Sequence, residues 1–336
     1  MRFSFALPVQ YGLDEPIEQR FAELLELVRA ARDVGFDHLS APQHYLASPF
    51  QYLQPVPLLA RLAAESGDMT LGTGIMLLAL QNPVDVAESI ATLDVISGGR
   101  LIFGVGLGYR DVEFDAFGVK RGTRLGRFLE ALEVVKQLWT QESVTFEGKY
   151  FTLKDVTLTT RPLQQPRPPI VVAASNDKMI RRAATIGDAW AIAGHATFQT
   201  LESQVALYAD ALAAADKPFP PKYFSQGKEL FIAKDMETAR REALPHIATK
   251  YAAYAQWGQD EVMPENETFD LPIEELSENR FIVGDPEHCI EQIELHRSRL
   301  QVQQMGFRLH WPGMSHKKVM EAIALFGERV IPHFRR

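Results

Sequence analysis

A single closed (β/α)8 barrel is the fold class that the sequence predicts, on three observations. Short apolar runs alternate with longer helical patterns along the whole chain, and a crossover helix is how parallel strands are joined. Eight such units can be counted, the number that closes a barrel. The length of 336 residues suits one barrel as well as it suits two average domains. A doubly wound open sheet is the alternative on pattern alone.

The units follow in order. RFSFALP (2–8) reads as strand one, and the amphipathic stretch 17–34 follows it, closed by Gly35. FDHLSA (36–41) is strand two, with a helix through PLLARLAAES. MTLGTGIMLL (69–78) is strand three, and its helix begins at Pro83, a residue helices favour in the first turn. RLIFGVG (100–106) is strand four, with a helix over 124–139. PPIVVAA (168–174) and DAWAIAG (188–194) are strands five and six, with helices from Asn176 and to Ala215. KELFIA (228–233) is strand seven, with a helix from Met236. A helix over 286–300 leads to GFRLHW (306–311), strand eight, and a closing helix covers 315–330.

Two segments interrupt this pattern, so the expectation is one domain over 1–336 with insertions after strands four and seven. The first, 143–168, alternates in a way that reads as a hairpin. The second, 258–280, is acidic, carries Pro264 and Pro272, and lacks a periodic apolar face; it reads as a mobile lid loop.

Composition narrows the partners. Hydrophobic residues at 46% supply a large core, while a net charge of −8 without any basic run argues against nucleic acid or an anionic membrane. No apolar stretch approaches the roughly 20 residues that span a bilayer. The start MRFSFALP is too short for a secretory core. Cys289 is the single cysteine, which excludes an intramolecular disulfide and fits a cytoplasmic location.

In such a barrel the site is built from loops at the C-terminal ends of the strands. Strand two leads into Gln43, His44 and Tyr45; strand three contains Thr73 and leads to Asn82. Strand four leads through Gly106 to Tyr109, inside the glycine-rich run GGRLIFGVGLGYRDVEFDAFGV (98–119). Strand six ends at His195, strand seven passes Glu229, and strand eight carries His310 and Trp311. Three histidines at strand ends are candidates for chemistry, although a lone histidine there is more often structural. No HxH pair or HExxH motif accompanies them, so no metal is expected. The fifth turn is more specific: Ala174, Ser175, Asn176 and Lys178 stand where a helix begins. The first N–H groups of a helix have no internal partners and receive a phosphate well. Ser175 serves there as N-cap or phosphate donor, and Arg181 and Arg182 add charge.

The run 83–119, the end of strand two at His44, the segment VVAASNDKMIRRAATIGDAW and the C-terminal FIVGDPEHCIEQI resemble the bacterial-luciferase-like, flavin-dependent monooxygenase family almost end to end. The resemblance implies a (β/α)8 barrel that binds reduced FMN or, in a sister branch, the deazaflavin coenzyme F420. It implies that His44 is catalytic, with Gln43 standing where the family has a carboxylate. Asn82 falls near the flavin's polar edge and Ser175 at its phosphate. Ala174 replaces a family acid, and Leu107 a phosphate-binding arginine. Thr73, Gly106, Tyr109, Asn176 and Lys178 complete the expected cofactor site, and the strand-four glycines make room for the flavin. His195, Glu229 and His310 are placed on the substrate side, His195 and His310 as further catalytic candidates. Tyr45 and Trp311 are placed at the mouth, and Arg280 as an anchor when the lid closes.

The expected function is oxygenation of a small organic substrate by reduced FMN and O2, with a separate NAD(P)H-flavin reductase as partner and a homodimer or higher homo-oligomer as the assembly. Hydride transfer with the deazaflavin is the alternative. A non-catalytic flavin-binding protein and a metal-dependent barrel hydrolase are the readings from other classes.

Overall fold

The computed structural model describes residues 1–265 and 267–335; Asn266, inside the 258–280 segment, and Arg336 lie outside the described residues. Eight parallel strands form the barrel: β1 Arg2–Ala6, β2 His38–Ala41, β3 Thr70–Thr73, β4 Leu101–Gly106, β5 Ile170–Ala174, β6 Ala189–Ile192, β7 Ser225–Ile232 and β8 Gln304–Arg308. Each pairs with its sequence neighbours. Pairing of β8 with β1 (Arg2↔Gln304) and of β4 with β5 (Ile170↔Phe103) leaves no gap in the ring. The open-sheet alternative is excluded.

Parallel strands buried on both faces need apolar residues outward, against the helices, and these are Phe5, Leu39, Leu71, Phe103, Val172, Trp190 and Phe307. The inward positions differ from those of a filled barrel. Ala6, Ser40, Gly104, Ala173, Ala191 and Gly306 are small and line a cavity that follows the barrel axis. Bulky branched side chains usually pack this space. Here the core sits in the outer layer and the axis is hollow.

Three strands differ most from the sequence expectation, and the last of them, β8, ends at Arg308, short of His310 and Trp311. β3 ends at Thr73; the chain turns through a cis Gly74–Ile75 peptide, and Met76–Leu77 then pairs with β4. β7 begins at Ser225, because its first polar residues pair with β6 and β8. In the first insertion Val144–Glu147 pairs antiparallel with Thr152–Val156. The second holds a short helix, Ile273–Ser277, and leads to the strand Ile282–Gly284, which pairs with the outer end of β7. Among the described residues no helix is long and apolar enough to cross a membrane.

Candidate active site

The glycine-rich run explains itself first. A Cβ on Gly104 would stand 2.1 Å from the Thr73 carbonyl oxygen, and one on Gly106 would stand 2.6 Å from the Ile75 side chain. These glycines therefore let the kinked end of β3 lie against β4. Thr73 stitches the same contact, since its hydroxyl donates to Gly104 O at 2.7 Å and accepts from Gly104 N at 2.9 Å.

A cavity of about 380 Å³ opens at the C-terminal ends of the strands. Gln43, His44, Thr73, Gly106, Tyr109, Ala174, Ser175, Asn176, His195 and Glu229 all line it. Asn82 does not; it is exposed and caps the helix Pro83–Ile96, accepting from Val84 N at 2.9 Å. Lys178 is exposed outside the lining. At the fifth turn the N-cap is Asn176, whose side chain accepts from Met179 N, so Ser175 is not the cap and faces the cavity.

His44 is held by a group that sequence reading missed. Its Nδ1 donates to Glu113 Oε1 at 3.0 Å, from the short helix Asp111–Ala116, 69 residues away. A carboxylate only accepts, so Nδ1 carries the hydrogen and Nε2 is left with a lone pair for the cavity. Glu113 is fully buried, and the same oxygen accepts from Tyr45 N at 2.9 Å and Arg110 Nη1 at 3.4 Å. Arg110 in turn lies 4.0 Å over the Trp257 ring. Tyr52, Tyr109, Tyr254 and Trp257 surround the His44 ring at centroid distances of 5.3–6.3 Å. Gln43 is committed elsewhere, accepting from Leu77 N and donating to the Tyr45 hydroxyl, a donation that a carboxylate there could not make. Tyr45 stands behind the cavity wall against Phe117.

A second charged group lies across Tyr254. Glu229, from β7, pairs with Lys250 in a very short contact and accepts from Trp311 Nε1 at 2.6 Å. Burial works to raise the Glu229 pKa, but the charges of Lys250 and Arg308 hold the carboxyl below its usual range. Burial lowers Lys250 to about 8 against the pull of Glu229. Arg308 lines the cavity 4.0 Å from Glu229 Oε2. The alternation Gly306, Arg308 along β8 is a sequence signal that would have found it. Lys250, on the long helix Met236–Gln256, gave no such signal.

His195 lines this wall, bonded through Nδ1 to the Tyr251 hydroxyl at 3.1 Å, and burial lowers its pKa to about 3. His310 and Trp311 are buried outside the lining, His310 edge-on against Tyr11 and Trp311 positioning Glu229. Arg280 is occupied by an ion pair with Glu267 at 2.7 Å. That carboxylate also accepts from Thr197, and buried Phe269 packs against His195 and Tyr251. The 258–280 segment is thus anchored at several points, while its Gln259 and Val262 line the cavity. Among the described residues no group of three or more His, Cys, Asp or Glu is arranged to hold a metal ion.

The fold and the site define an α/β-barrel enzyme whose mouth combines a histidine–carboxylate dyad with the start of the helix Asp177–Ile186. The family model for luciferase-like monooxygenases matches residues 1–303, and the chain belongs to that family. It is 26% identical to an F420-dependent glucose-6-phosphate dehydrogenase of Nakamurella multipartita, over 98% of this chain and 97% of the relative. The monooxygenase RslO1 from Streptomyces bottropensis superposes with a TM-score of 0.90 at 26% identity, covering 99% of this chain and all of the other. The oxygenating constituent of a diketocamphane monooxygenase from Pseudomonas putida, in complex with FMN, gives 0.78 at 19% identity, covering 99% and 98%. The family is enzymatic, with dehydrogenases and monooxygenases among these relatives.

Proposed function

We propose that this enzyme is a reduced-flavin monooxygenase that oxygenates a small organic substrate with O2. The observation that carries the reading is the His44–Glu113 dyad, set among four aromatic rings at the cavity. The match to a monooxygenase over the full chain supports it.

The residues at the mouth fit a flavin phosphate. Ser175, Asn176 and Met179 line one end of the cavity at the start of the helix Asp177–Ile186, and Arg124 adds a cation to the lining. Arg124 supplies charge that Leu107 lacks. When bound, reduced FMN supplies the electrons that activate O2, and the chain provides position and a dry pocket. Glu113 fixes the His44 tautomer so that Nε2 can take a proton from the substrate or return one to the departing oxygen. Tyr109 and Trp257 keep water from that edge of the ring. A separate NAD(P)H-dependent reductase would deliver the flavin, in the cytoplasm, where the buried thiol of Cys289 stays reduced. We expect a homo-oligomer.

Hydride transfer with the F420 deazaflavin is the second reading. The same dyad favours it, because an imidazole oriented by a carboxylate suits removal of a hydroxyl proton, and the dehydrogenase relative supports it. Anaerobic titration with reduced FMN and with the deazaflavin, followed by labelled O2, separates the two. Tight binding of FMN and label in the product support oxygenation. Binding of the deazaflavin alone, with alcohol oxidised in the absence of O2, overturns it.

A further inference from the structure

The wall beyond Tyr254 holds more positive charge than it neutralises. Lys250 and Arg308 face one carboxylate, Glu229, which Lys250 and Trp311 already engage. Arg308 keeps a 4.0 Å contact with that carboxylate and one hydrogen bond, 3.4 Å to Gln10 Oε1. His195, beside them, is held neutral by burial. A guanidinium carries five N–H donors, so most of those on Arg308 are unused where it lines the cavity.

Unused hydroxyls lie alongside. The phenolic oxygens of Tyr52 and Tyr109 are buried without a hydrogen-bond partner, on rings packed edge-on against His44. Gln10 Oε1 accepts from Arg308 at 3.4 Å and from the Tyr254 hydroxyl at 3.5 Å, Gln10 pairs with Tyr52 on the neighbouring strand, and Arg308, Tyr254 and Tyr109 all line the cavity. A buried polar atom left unpaired is costly, and a buried cation without an anion more so. Donors and charge converging beside a proton-transfer residue describe a place for an anionic oxygen.

We propose that the organic substrate carries a delocalised oxyanion, a carboxylate or an ionised phenol or enol, which Arg308 binds while the Tyr109 hydroxyl donates to it. This rests on the reading that the His44 pocket is the substrate side of the flavin site. Binding there sets the adjoining carbon framework against His44 Nε2.

The test is equilibrium binding to the full chain without flavin, so that failure to bind flavin is a separate result. The probes are benzoate and 4-nitrophenolate, with benzamide and 4-nitroanisole as neutral counterparts. The wild-type protein is expected to prefer each anion it binds over its neutral counterpart. Arg308→Gln should weaken anion binding by about ten- to a hundredfold, the range for a charge-assisted hydrogen bond, and leave the neutral probes unchanged. Tyr109→Phe, which keeps the ring, should cost a few-fold on the anions alone and serves if the arginine variant does not fold. A preference for benzoate assigns a carboxylate, and one for 4-nitrophenolate a phenol or enol. Equal binding of anions and neutral probes, no binding of either anion, or unchanged anion affinity in both variants overturns the proposal.

Discussion

The two charged walls of the cavity solve the same problem in opposite ways. Around His44, the buried Glu113 carboxylate is matched by one guanidinium, Arg110, and its Oε1 takes hydrogen bonds from Tyr45 N and the imidazole, while Oε2 is buried without a partner. Around Glu229, one carboxylate faces two cations. The first wall spends its charge on orienting a ring. The second holds charge in reserve and depends on Glu229 for its own stability. Charge balance, more than residue type, separates the two walls.

That contrast can be broken by substitution. His44→Ala is expected to lower turnover by about 10²–10⁴-fold, the usual contribution of a general acid–base group. Thermal unfolding should hardly move; a matching fall in stability, with normal turnover per folded molecule, would make the dyad structural. Glu229→Ala should act in reverse. It strands Lys250 and Arg308, and breaking a buried pair costs about 3–5 kcal/mol, read by urea unfolding. A loss below about 1 kcal/mol would place the two walls on the same footing. Ser175→Ala tests a third point, away from both walls. Losing one charge-assisted hydrogen bond should weaken FMN by about one to two decades and leave riboflavin, which lacks the phosphate, unaffected. Equal losses for the two flavins would contradict the phosphate assignment.

Acid tests the comparison through the buried imidazoles. Burial holds His38, His195 and His310 at about 3, against an ordinary value near 6.5. Between those values the unfolded chain binds protons that the native chain does not, so stability rises with pH and falls as acid is added. Each histidine contributes at most about 1.4 kcal/mol per pH unit in that window. Urea midpoints measured from pH 7 down to 4 should therefore drop, and His195→Gln should flatten the slope. A flat wild-type profile would mean that these rings are solvated.

The barrel was legible because outward-facing apolar runs repeat with helices between them, and that pattern is local. What was not legible depends on contacts between distant segments. Glu113 stood inside the glycine-rich run, yet its bond to His44 crosses 69 residues. Gly104 and Gly106 suggested room for a ligand and do line the cavity, but that they also accommodate Thr73 and Ile75 could not be read from the sequence. The 258–280 segment read as unanchored because Glu267, Phe269 and Leu276 are isolated, and isolated anchors leave no period. Strand three looked continuous over 69–78 because its apolar run carries straight across the turn at Gly74.

The hollow axis carries one more consequence. Ala6, Gly104, Ala173 and Gly306 leave lining atoms without neighbours on the cavity side, and dispersion contacts missing there are not made elsewhere. An occupant that reaches down the axis supplies them without disturbing the outer layer of Phe5, Phe103, Trp190 and Phe307. Each inward methyl added, as in Ala173→Val, would raise the floor on one side and shorten the longest molecule that fits. The barrel then works as a gauge of length, set residue by residue, while the layer that holds the fold together stays the same.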